Sequence, residues 1–164
     1  MYYDQTVDVE DLHFTIAQRE ALIRTVITKD EEIRLAKTVY GEDRCNSFMM
    51  RSAVIWCVFN RMDDPGYGDT VTEVVTHGAF HGYTKNKPVK LWAVWLVRDV
   101  AFRYALEKGG YTDVGRTLPS DYLFFAGRKG KNYFRKKYRS SDYYDWNLGS
   151  PENYKEMEEY FANN

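Results

Sequence analysis

The segment from Pro88 to Gly109-Gly110 sets the strongest limit on what this chain can fold into. Leu91, Trp92, Trp95, Leu96, Val100 and Tyr104 recur at helical spacing on one face. Pro88 suits the first helical turn, and the paired glycines stop the helix after Lys108. A helix that long and that apolar must be covered, with Trp92, Trp95 and Leu96 as core knobs. The rest of the fold is whatever covers it.

The covering elements leave local signals. Thr28 followed by Glu31 is a capping-box pair. Ile33, Ala36, Val39 and Tyr40 follow at helical spacing, with a stop near Gly41. Ser47 caps a helix running through about Arg61, and Val54, Ile55, Cys57, Val58 and Phe59 give it a broad apolar face. Residues 15–27 fit a helix, but their β-branched ending also permits a strand. Asp63-Asp64-Pro65-Gly66 breaks the chain, and Thr70 with Glu73 forms a second capping box over a short helix at 70–76. Residues 77–87 read as a loop. After Pro119, the run from Tyr122 to Gly127 reads as a brief strand, and alternation sends at least one of Tyr122, Phe124 and Phe125 inward. Ser150 and Pro151 open a last helix carrying Tyr154, Met157 and Phe161. The expected fold is mostly α, or α+β with little β: five or six helices and one or two short strands. The 164 residues make a single domain, with 1–14 as an irregular N-terminal arm. A chain of this length buries roughly 68–70% of its unfolded surface.

Several classes of function drop out. No apolar run approaches the roughly 18 residues of a membrane span, so no integral membrane segment is expected. The first residues lack a basic patch followed by an apolar stretch, so no signal peptide is expected. Cys45 and Cys57, on one helix, would lie about 18 Å apart along its axis, too far for a disulfide. His77 and His81 have the spacing of two zinc ligands, but Gly78 and Gly82 interrupt any helix and no third ligand follows. Neither a metal nor a cofactor is expected, and no GxSxG or phosphate-cradling loop is present.

Net charge is only −1, yet it is unevenly spread. Residues 1–50 hold 6 basic and 10 acidic side chains, whereas 101–150 hold 10 basic and 5 acidic. Residues 128–139 alone carry seven basic residues, interleaved with Tyr133, Phe134 and Tyr138. That stretch fits a surface for anionic polymers, a phosphate contact with nucleic acid, or a solvated loop. The overall balance disfavours a general nucleic-acid binder.

The residues with the most chemical content are Tyr40-Gly41-Glu42-Asp43-Arg44. Glu42 sits where an apolar helix runs out, ahead of a new one. A carboxyl group half-buried at such an edge favours its protonated form, which general acid catalysis requires. The bland alternative is an exposed acid at a helix end.

The stretch EIRLAKTVYGEDR followed by RSAVIWCVFNRM resembles the spore-cortex-lytic cell-wall hydrolase family. The matching positions are Leu35-Ala36, Val39-Tyr40-Gly41-Glu42, Arg44 and Asn60-Arg61. TVTEVVTHGAF, the long helix and LPSDYLFFAGRKGKNYF resemble later family segments in the same order, so the likeness covers about 30–140. It implies a lysozyme-like domain that cleaves peptidoglycan glycan strands as a lytic transglycosylase or muramidase. Glu42 would be its general acid/base, and Tyr40, Arg44, Asn60, Phe80 and Tyr122 would shape the substrate cleft. The protein would work as a monomer at the cell wall or spore cortex, or as a phage lysin.

Four positions depart from the family pattern. Asp43 replaces an alanine, Cys45-Asn46 replaces glycine-glutamate, and Ala79 replaces a glutamine. Those departures leave open a wall-binding module that has lost activity. A hydrolytic route would need a second carboxylate, for which Asp43, Glu73, Asp99 and Asp121 are candidates by type.

Overall fold

The computed structural model describes residues 13–42, 47–76, 80, 86–128, 131–144, 159, 160 and 163. Five helices and one hairpin occupy them: α1 (Ile16–Val26), α2 (Lys29–Gly41), α3 (Phe48–Asp63), α4 (Val71–Thr76), α5 (Leu91–Lys108), β1 (Phe124–Arg128) and β2 (Lys131–Arg135). The domain is mostly helical with a small antiparallel sheet, as the sequence pattern predicts. Of the expected last helix, Glu159, Tyr160 and Asn163 are helical, whereas Tyr154, Met157 and Phe161 lie outside the described residues, as do residues 1–12 of the arm.

Local chemistry starts and stops the helices. Residues 15–27 resolve as helix, because Thr15 and Gln18 form a reciprocal capping box. Thr28 and Glu31 do the same for α2. The second oxygen of Glu31 accepts from the Thr72 amide at 3.0 Å, so one carboxylate serves the N-termini of two helices. At α4 the expected box is only half made. Thr70 accepts from the Glu73 amide, but the Glu73 carboxylate turns to the Asp69 amide instead. The α5 stop is a Schellman motif: Tyr111 N–H donates to Leu106 O, Gly110 N–H donates to Glu107 O, and Gly110 has φ of 101°.

Contacts fix how the helices run. Trp92 stacks near Phe48 and Tyr104 stacks on Phe59 at 4.3 Å, so α3 and α5 are parallel neighbours. Tyr40 meets Trp92 while Glu32 meets Arg98, so α2 runs the opposite way along α5. Phe14 meets Phe102 and Glu20 meets Arg98, which sets α1 antiparallel to α5 as well. A closed ring of ion pairs ties these three together: Arg24 and Arg98 each bridge Glu20 and Glu32.

The core sits on α3 and the later turns of α5. Every residue of α3 from Ser52 to Arg61 is buried, a wider burial than the one apolar face expected. α5 is buried nearly all round from Ala101 to Leu106. Three details differ from the sequence expectation. α5 begins at Leu91 with Lys90 as its cap, so Pro88 precedes the helix rather than opening it. Leu96 is a core knob and Trp92 is half-buried, but Trp95 is 51% exposed and stacks on Tyr160. The basic stretch is not simply a loop, because β2 takes up Lys131–Arg135 and points Asn132 and Phe134 inward.

Candidate active site

Glu42 is the C-cap of α2, with φ −89° and ψ 1°, and its amide is held by Thr38 O and Tyr40 O. The residue is only 9% exposed. A helix end normally leaves a carboxylate in water. Here the residue at the cap is buried.

Around the end of α2 the side chains are aromatic and cationic. Tyr40 lies 6.5 Å from Trp92, and Trp92 stacks on Phe48 at 5.8 Å. The Arg51 guanidinium sits over Trp92 at 4.2 Å, and Lys87 and Lys90 lie 5.9 and 5.7 Å from the Tyr40 ring. Tyr40, Trp92 and Lys87 are half-buried and Lys90 is exposed.

The other predicted site residues gather at the far end of α3, about 18 Å along its axis from Phe48. Asn60 is 2% exposed. Its amide nitrogen donates to Pro119 O and Tyr122 O, both at 2.9 Å, and its oxygen accepts from Arg116 Nη1 at 2.8 Å. Those three bonds join α3 to the chain entering β1 and account for the side chain without a ligand. Phe80 is buried against Phe125. The Tyr122 ring meets Tyr144 edge-on, with Lys136 over its face. Arg61, which the sequence singles out only as part of the motif, is 3% exposed. It donates from Nε to Leu123 O, and its guanidinium lies among the rings of Phe80, Phe124 and Tyr67.

The structure thus leaves Tyr40 and Glu42 two residues apart at the end of α2, with Tyr40 near the start of α5, and brings Asn60, Tyr122 and Phe80 together at the far end of α3. Arg44 lies outside the described residues, as do Asp43, Cys45, Asn46, His77, Ala79 and His81.

No family model, curated protein or solved structure matches this chain.

What the arrangement can do chemically therefore rests on the groups themselves. Among the candidate second carboxylates, Glu73 caps α4, Asp99 pairs with Arg103 at 3.0 Å, and Asp121 pairs with Lys136 at 2.9 Å. Burial pushes the Cys57 thiol up to about 12, outweighing the nearby Arg61, so it is no nucleophile near neutral pH. Among the described residues no group of three His, Cys, Asp or Glu is placed to hold a metal ion, and no helix is long and apolar enough to cross a membrane. Sequence reasoning missed Arg51, Lys87 and Lys90. The only local signal was the Lys87-Pro88-Val89-Lys90 run ahead of α5.

Proposed function

We propose that this domain cleaves the glycan strand of peptidoglycan, with Glu42 as general acid and then general base, on a lysozyme-like scaffold. One observation carries the reading. Glu42 is a buried acid at the end of α2, two residues after Tyr40, which is itself half-buried against Trp92. Such rings offer the flat apolar face against which sugar rings pack.

Glu42 would give its proton to the glycosidic oxygen between N-acetylmuramic acid and N-acetylglucosamine as that bond breaks through an oxocarbenium-like transition state. The resulting carboxylate takes the proton of the muramyl 6-hydroxyl, whose oxygen bonds to C1 and closes a 1,6-anhydro ring. No water is consumed, and Glu42 ends protonated as it began. One acid suffices, which suits a chain whose Glu73, Asp99 and Asp121 are engaged in caps and ion pairs. The substrate places the enzyme at the cell wall, whether it serves a spore, a growing cell or a phage.

The test is to incubate the protein and its Glu42→Gln form with purified peptidoglycan and identify released fragments by mass spectrometry. Anhydro-muropeptides from the wild type alone are expected. Reducing-end fragments would mean a hydrolase with a second carboxylate. Retention on insoluble wall with no fragments would mean a binding module and overturn the catalytic reading.

A further inference from the structure

Lys87 and Lys90 are two of several described cations with no carboxylate partner, Arg61 and Arg139 among the others, and both face the ring of Tyr40. Arg24, Arg98, Arg103, Lys108, Arg116 and Lys136 all pair with carboxylates. Lys87 and Lys90 pair with none among the described residues. Both ammonium groups instead converge on the single ring of Tyr40, two residues before Glu42. A cation near a ring face gains from the ring's quadrupole, but all its hydrogen-bond donors stay available. Lys90 also caps α5 with its backbone alone, and no acid occupies the first turn of α5. Two ammonium groups therefore lie beside a stacking surface, with no carboxylate in ion-pair contact with either among the described residues.

We propose that Lys87 and Lys90, with the Tyr40 and Trp92 rings, form a subsite for a carboxylate carried by the glycan, so that the enzyme selects acidic strands over neutral ones. This rests on the glycan-cleaving reading. The rings take the sugar face, and the ammonium groups take the acidic group projecting from the same residue. In peptidoglycan that carboxylate comes either from the muramyl lactyl group or from the attached stem peptide. The competing explanation is that the lysines only offset the negative end of the α2 dipole. In that case they would act on stability and not on binding.

The experiment titrates three tetrasaccharides of alternating N-acetylglucosamine and N-acetylmuramic acid into the Glu42→Gln protein, which holds substrate without turning it over. One has free lactyl carboxylates, one has them as methyl amides, and one carries stem peptides. At least one acidic form is expected to bind about tenfold tighter than the methyl amide at low salt, as one charge-assisted contact provides, and the preference should shrink as salt rises. Which acidic form gains identifies the source of the carboxylate. Adding Lys87→Ala and Lys90→Ala should erase the preference and leave methyl-amide binding unchanged. Equal binding of all three, or a preference that survives both substitutions, overturns the proposal. So does a fall in melting temperature with binding unchanged, which the dipole explanation predicts. Tighter binding of a single-stranded oligonucleotide than of any glycan also overturns it. If all three bind equally while the wild type still releases anhydro-muropeptides, only the subsite fails. If nothing binds and nothing is cleaved, the glycan reading fails with it.

Discussion

The two ends of α3 use the same kinds of residue in opposite ways. At the Asp63 end, polar groups are consumed by the protein. Asn60 spends its whole amide on Pro119, Tyr122 and Arg116, and Arg116 grips Glu107 with two bonds of 2.7 Å while covering the Trp56 ring. Tyr104 donates to Asp63, which also pairs with Lys108. At the Phe48 end, Lys87 and Lys90 lie near an aromatic face and pair with no carboxylate among the described residues. Saturated polar groups build a fold, and cations without a carboxylate leave something for a ligand. On the proposed reading Asn60, which the family resemblance would put in the cleft, braces the fold through three hydrogen bonds, and the end around Glu42 would be the working one.

The comparison can be broken from either side. The largest stability loss should come from Asn60→Ala, which removes the buried donor of two carbonyl groups and one bond of Arg116. About 3 kcal/mol is expected in urea unfolding, with activity per folded molecule retained. A loss of activity without a loss of stability would place Asn60 in the cleft instead. Gly115→Ala should follow at about 2 kcal/mol. Gly115 has φ of 80°, and an added Cβ would collide with Arg103 Nη1, which holds Val114 O at 2.9 Å.

Tyr104→Phe should cost about 1 kcal/mol near neutral pH. Burial, and then its bond to Asp63, hold the Tyr104 hydroxyl well above its ordinary value of 10.0. A group whose folded value is raised contributes stability below its unfolded value, and that contribution is lost as pH rises past it. The wild type should therefore lose stability above about pH 10, and the Phe variant should lose less over the same range. Identical alkaline profiles would contradict this. The smallest effect should come from Lys87→Ala with Lys90→Ala, which is expected to shift stability by less than about 0.5 kcal/mol.

What the sequence revealed follows from the reach of each interaction. The Thr28–Glu31 box, the Ser47 cap and the Gly109-Gly110 stop are contacts within a few residues, so spacing alone locates them. The exposure of Trp95 is not local. It depends on where α5 enters the core, and a helix buried on nearly every side in its later turns shows no clear polar face to read. Asn60 and Arg61 read as the polar end of an apolar helix, because their partners Arg116 and Leu123 lie more than fifty residues on. The β2 strand hides because Lys131 and Arg135 dominate a segment whose inward members are only Asn132 and Phe134. Glu42 was visible as a motif residue, but spacing alone does not give its burial.

The most direct test sets the two ends of α3 against each other in one assay. Anhydro-muropeptide release is measured for Glu42→Gln and Asn60→Ala at a temperature where both are folded, beside their unfolding curves. The account predicts that Glu42→Gln loses on the order of 10²–10⁴-fold in rate while still folded, whereas Asn60→Ala loses stability and keeps its rate per folded molecule. Full cleavage by folded Glu42→Gln would contradict it.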